Sequence, residues 1–179
     1  DLHVEEILET SLEENLAMIG ESISFLVGKG IRVFFDAEHF FDGYKANPNY
    51  SHSVVSTAKK AGAECVILCD TNGGMLPSEI AVIVLEIKKY HDVKLGIHTH
   101  NDSDTAVAGA ISAVDAGALH VQGTINGYGE RCGNANLISI IANLKLKKGI
   151  DCLLDDQLSR LTDVSKIVAE IANMPAPLN

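Results

Sequence analysis

Apolar positions along the chain switch between two periods. Leu16, Ile19, Ile23, Leu26 and Val27 recur at the spacing of one helix face. Ser11-Leu-Glu-Glu14 opens that stretch as a capping box, and Gly28 and Gly30 close it. After Gly30 one unit repeats, a short apolar run followed by a helical stretch. Ile31–Ala37 reads as a strand and Ser51–Lys60 as a helix stopped by Gly62. Cys65–Cys69 reads as a strand, and Pro77–Tyr90 as a helix with proline in its first turn. Val93–His98 and Thr105–Ala116 form the third such pair, stopped by Gly117. Leu119–Ile125 and Ala135–Lys147 form the fourth, stopped by Gly149.

The predicted strands start near 31, 65, 93 and 119, a spacing of about 26 to 34 residues. That is the length of a βα unit, so the pattern predicts an α/β protein with a parallel sheet. A doubly wound open sheet and part of a (β/α)8 barrel both fit so far. No GxGxxG follows any strand, which removes the usual dinucleotide signal. The pleat separates the two architectures, because successive side chains point to opposite faces. Phe34, Asp36 and Glu38 share one face; so do Gly96, His98 and His100, and His120, Gln122, Thr124 and Asn126. The opposite faces carry Val33, Phe35 and Ala37, then Leu95, Ile97 and Thr99, then Val121, Gly123 and Ile125. Polar residues thus gather on one face and towards the carboxyl ends. A barrel with its active site at the C-terminal mouth requires that pattern, whereas a sheet covered by helices on both faces wants two apolar faces. Four units make half a barrel. Past Gly149 the repeat stops. Asp151–Leu161 and Thr162–Met174 read as helices, and Met174–Asn179, with two prolines, as a loop-like end. Residues 1–150 are therefore expected to form the half barrel, and 151–179 to begin a helical linker.

The length of 179 residues suffices for one domain with a real core. No apolar run approaches the roughly 20 residues of a membrane span, and no basic segment followed by an apolar one opens the chain as a signal peptide would. A formal charge of −10 argues against nucleic acid and anionic membrane partners. The four cysteines, Cys65, Cys69, Cys132 and Cys152, form neither a CxxC pair nor a secreted disulfide pattern, which places the protein in a reducing cytosol. Cys65 and Cys69 lie in an apolar run, as buried thiols do.

Candidate chemistry concentrates in two segments. Gly96-Ile-His-Thr-His-Asn-Asp102 sets two histidines at i and i+2 on one strand face, close enough to share a metal ion. On spacing alone, a metal pair and two polar strand-end residues stand even; the polar face and the carboxyl end favour the metal. In Asn126-Gly-Tyr-Gly-Glu-Arg-Cys-Gly-Asn134, the glycines let backbone approach a ligand. Asn134 reads either as the N-cap of the following helix or as a metal ligand through its side-chain oxygen. Arg131 reads as a carboxylate or phosphate binder, or as a surface partner of Glu130.

With Phe35-Asp-Ala-Glu38-His and Cys69-Asp-Thr71-Asn-Gly, these segments resemble the 2-isopropylmalate, homocitrate and citramalate synthase family, in order and spacing over roughly residues 30 to 150. Phe34-Phe-Asp-Ala-Glu-His-Phe-Phe-Asp-Gly-Tyr-Lys is most similar to the long citramalate synthase branch. The resemblance implies a metal-dependent TIM barrel of which this chain is the second half. It implies acetyl-CoA and a 2-oxo acid as substrates and a Claisen condensation as the reaction. It implies a divalent ion (Zn²⁺, Mn²⁺, Mg²⁺ or Co²⁺) held by His98, His100 and Asn134, with a fourth ligand, an aspartate of the first barrel strand, outside this chain. Glu38 matches the family's acid–base glutamate. An inward carboxylate at a strand's carboxyl end suits a general base, with a salt bridge to an inward cation as the competing reading. Thr71 matches the threonine that binds the 2-oxo acid carboxylate, and it can also cap its own loop. Asp70 is left without a role, and His39, His52, His91 and His120 without partners. A homodimer is expected, with no nucleic acid or membrane partner. A metal-dependent aldolase or acyl-CoA lyase on the same barrel is the alternative enzyme. A catalytically inert half barrel is the alternative outside catalysis, since unpaired strand edges invite association.

Overall fold

A computed structural model describes residues 1–175; the end of the loop-like terminus, 176–179, lies outside the described residues. The four apolar runs form strands β1 (Phe34–Ala37), β2 (Cys65–Asp70), β3 (Lys94–Thr99) and β4 (His120–Gln122). They make one parallel sheet in the order β1-β2-β3-β4. Helices α1 (Leu12–Gly28), α2 (Phe40–Ala46), α3 (Pro48–Ala61), α4 (Pro77–Tyr90), α5 (Ala106–Asp115) and α6 (Leu137–Lys148) surround it, with a π-helical turn at His3–Ile7. Helices α7 (Asp155–Leu158) and α8 (Leu161–Ala172) follow. None of the helices described is long and apolar enough to cross a membrane.

The main core lies between the sheet and its helices. Ala37, Val66, Leu68, Leu95 and Ile97 meet Ile80, Val84 and Ile87 of α4 and the alanines of α5 there. Full burial of one such aliphatic side chain contributes roughly 1.5–3 kcal/mol. The other sheet face carries a small separate cluster, Cys65, Ile67 and Cys69. Register aligns Cys69 with His98, and His98 with Gln122, so these share that inner face.

Curvature makes this a partial (β/α) barrel. Strands β1 and β4 are opposite edges of the sheet; a flat sheet would hold them about 14 Å apart, at three spacings of ~4.8 Å. Yet Gln122 Nε2 on β4 donates to Asp36 Oδ1 on β1 at 2.9 Å, and the Phe34 and His120 rings meet edge to face at 5.1 Å. The sheet therefore curls until its edges touch across the concave side. Gly96 makes room for that curl: a Cβ there would sit 2.8 Å from Ile67 Cγ1 and 3.2 Å from the His120 ring.

Three local departures from the expected pattern have physical causes. Helix α2 lies between Ala37 and Ser51, where the pattern assigned no element; it forms because Phe40, Phe41 and Tyr44 bury one face. Strand β4 stops at Gln122 rather than Ile125, because Thr124 instead pairs with Asn136. Helix α6 starts at Leu137 rather than Ala135 for the same reason. Residues 134–136 are drawn into extended pairing, with Asn134 bridged to His100 and Ala135 N donating to Thr99 O at 3.0 Å. Beyond α6, α8 packs on the loop after β4. Asn126 Nδ2 donates to Ser165 O at 2.8 Å, and Ser165 Oγ returns a bond to Asn126 Oδ1 at 2.6 Å.

Candidate active site

The carboxyl ends of the strands bring His98, His100 and Asn134 into one neighbourhood. His98 on β3 and His100, one residue beyond its end, lean the same way, and their Nε2 atoms lie 3.3 Å apart. His98 Nδ1 lies 2.7 Å from Gln122 Oε1. His100 is buried, and its Nδ1 has no partner. Burial, and then the neighbouring His98, hold its pKa below the usual histidine value. Asn134 is next to His100 through the backbone bridge, and its Oδ1 is buried without a hydrogen bond. The N-cap of α6 is Asn136, whose Oδ1 accepts from Ile138 N at 3.0 Å, so helix capping does not occupy Asn134.

A buried amide oxygen without a partner costs free energy unless something else supplies one. Two imidazole nitrogens and one amide oxygen form a borderline donor set that fits a divalent cation. Among the described residues no three His, Cys, Asp or Glu side chains gather at one point. The third polar group beside the two histidines is the Asn134 amide.

Glu38 and Thr71 sit one residue beyond β1 and β2. The Thr71 hydroxyl donates to Glu38 Oε2 at 2.8 Å and accepts the His39 N–H at 2.8 Å. Glu38 is exposed and lines a cavity of about 590 Å³ with Phe35, Asp36, His39 and Tyr50. Among the described residues no lysine or arginine forms an ion pair with it. Asp70 is structural: buried, it accepts from Gly74 N at 3.3 Å and Met75 N at 3.2 Å and so closes the turn after β2. Its burial raises its pKa despite those bonds.

Arg131 is engaged inside the loop cluster. Its Nε and one terminal nitrogen take both oxygens of Asp102, at 2.8 and 3.1 Å, and the same terminal nitrogen donates to Thr71 O at 2.6 Å. Glu130 is a more distant partner at 3.7 Å. The guanidinium holds the Asp102 carboxyl below its ordinary range. One side chain thus ties together the loops that follow β2, β3 and β4. His52 and His91, left without partners by the sequence, pair with each other at 2.8 Å on the outer helices. Asp36 and Gln122 were also missed as site residues. Both appear on the polar strand faces, yet their contact depends on the curl of the whole sheet.

The family model described as HMGL-like matches residues 1–168. The (R)-citramalate synthase of Aquifex aeolicus is 56% identical over all of this chain, and that of Geobacter sulfurreducens 55% over 97% of it. The chain spans only 34% and 33% of those two proteins, about a third of their length. Among solved structures, an HMG-CoA lyase of Bacillus subtilis covers 98% of the chain with a TM-score of 0.80 at 19% identity; the chain matches 61% of it. That likeness supports the partial barrel.

Proposed function

The chain belongs to the HMGL-like family, and from that premise we propose that it carries most of the active site of a synthase that condenses acetyl-CoA with a 2-oxo acid, pyruvate being the best candidate. One observation carries the reading: the paired Nε2 atoms of His98 and His100, 3.3 Å apart, beside the unpartnered oxygen of Asn134. The identity to (R)-citramalate synthases supports pyruvate as the acid. It weighs more than the likeness to lyases at 19–20% identity.

His98, His100 and Asn134 would hold the cation, with Zn²⁺, Mn²⁺, Mg²⁺ and Co²⁺ all compatible with mixed N/O ligands. When bound, it supplies Lewis-acid polarisation of the keto group. Glu38 accepts a proton from the acetyl methyl group. The resulting enolate adds to the keto carbon, and water then hydrolyses the thioester to release CoA. Thr71 keeps Glu38 in place through its hydroxyl. When the 2-oxo acid arrives, that hydroxyl turns to the substrate carboxylate. Residues 1–150 act as the second barrel half, and the described residues from 151 onward as the start of a helical linker. A homodimer is the assembly proposed for the whole protein.

A thiol-release assay on the full-length protein tests the reading. It offers acetyl-CoA with pyruvate, 2-oxoisovalerate or 2-oxoglutarate. Pyruvate is expected to give the highest kcat/KM. No CoA release with any of the three overturns it.

A further inference from the structure

A chain of hydrogen bonds crosses the concave face of the sheet, from Asp36 through Gln122 to His98. We infer that Gln122, held by Asp36, is a positioning residue that fixes the tautomer of His98 and turns its Nε2 lone pair towards the cation. The inference rests on reading His98 as a metal ligand.

Donors and acceptors alone decide the direction of the chain. An ionised Asp36 only accepts, so the Gln122 group facing it at 2.9 Å is the amide nitrogen. The Gln122 oxygen is thereby left facing His98 Nδ1 at 2.7 Å. An amide oxygen also only accepts, so His98 Nδ1 carries the proton. A neutral imidazole protonated at Nδ1 presents a lone pair at Nε2. That Nε2 is the atom lying 3.3 Å from His100 Nε2. The polarity of the chain is thus set at its far end by a carboxylate on the opposite edge strand. Metal-binding histidines are commonly oriented through their second nitrogen in this way. Here the orienting group depends on sheet curvature, since β1 and β4 share no backbone hydrogen bond.

The test measures binding of Zn²⁺ or Mn²⁺ alone to the full-length protein by competition with a chelating dye, beside the thermal midpoint of each metal-free variant. Gln122→Leu keeps similar bulk and removes the acceptor. It is expected to weaken metal binding about 10- to 100-fold while the metal-free midpoint stays near that of the unchanged protein. The double variant Asp36→Asn/Gln122→Glu preserves the total charge and the acceptor that faces His98. The amide introduced on β1 donates to the carboxylate introduced on β4, and that carboxylate still accepts from His98 Nδ1. The double variant is expected to bind metal nearly as tightly as the unchanged protein. His98→Ala separates the two levels. If His98→Ala binds metal normally, the ligand reading itself fails. If His98→Ala loses metal while Gln122→Leu binds it normally, only the positioning role is overturned. Should Gln122→Leu fail to fold, the double variant decides, and a folded double variant with weak metal binding overturns the inference.

Discussion

Thr71 and Glu38, on neighbouring strand ends, are joined by a hydroxyl–carboxylate hydrogen bond of 2.8 Å. The same hydroxyl accepts the backbone N–H of His39, which fixes the direction of its proton towards Glu38. Glu38 is thus held by a neutral donor with no paired cation among the described residues. Both the hydroxyl and the carboxylate stand at the carboxyl ends of neighbouring strands.

Replacing Glu38 by Gln keeps size and polarity but removes the proton acceptor. In the full-length protein kcat is expected to fall by about 10² to 10⁴. The KM for the 2-oxo acid should change little. Metal affinity should survive, because Glu38 bonds to Thr71 and takes no part in the Asp36–Gln122–His98 chain. Steady-state kinetics beside a thermal unfolding curve check this. A kcat near that of the unchanged protein would make Glu38 structural.

Gly129 is the place to test Asn134 without touching it. A Cβ on Gly129 would collide with Asn134 Nδ2, the end of a side chain that can move. Gly129 is not among the residues with positive φ, so alanine fits its backbone. Gly129→Ala is expected to swing the Asn134 amide away and weaken metal binding, with the fold retained. Unchanged affinity in a dye-competition titration would remove Asn134 from the ligand set.

Gly96→Ala addresses the curl. Its new methyl would press on Ile67, which is fully buried, and on the His120 ring. Overpacking of this kind costs about 1–3 kcal/mol. In a domain of this size each kcal/mol lowers Tm by roughly 2–4 °C. Differential scanning calorimetry reads the shift directly.

The thiols divide into two classes. Burial pushes the Cys65 thiol up to about 11 and raises Cys69 as well, whereas Cys132 and Cys152 are exposed. N-ethylmaleimide at pH 8 is expected to modify Cys132 and Cys152 in the folded protein. Cys65 and Cys69 should react only after unfolding. Peptide mapping by mass spectrometry distinguishes the two outcomes.

Strands, their polar faces and helix α4 were legible because local pattern determines them; α4 spans Pro77–Tyr90 as expected. Ser11 caps α1 as the motif implied, accepting Glu14 N at 3.1 Å. What escaped depends on contacts far apart in sequence. Asn134 reads as a cap of α6, yet pairing with the end of β3 draws it away and leaves the cap to Asn136. Asp36 and Gln122 are 86 residues apart, and their bond requires the curled sheet. Arg131 offered Glu130 as a sequence neighbour, yet the fold presents Asp102 for a two-pronged contact. The His52–His91 pair likewise joins α3 to the end of α4.

Formation of a carbon–carbon bond between the acetyl methyl group and pyruvate is the central claim. Acetyl-CoA carrying three deuterons on its methyl group, incubated with pyruvate and the full-length protein, is read by mass spectrometry. The expected product is a five-carbon hydroxydicarboxylate retaining two deuterons, one having left with the abstracted proton, and it should vanish in His98→Ala. Free CoA and acetate with no five-carbon adduct, or an adduct formed equally by His98→Ala, would contradict it.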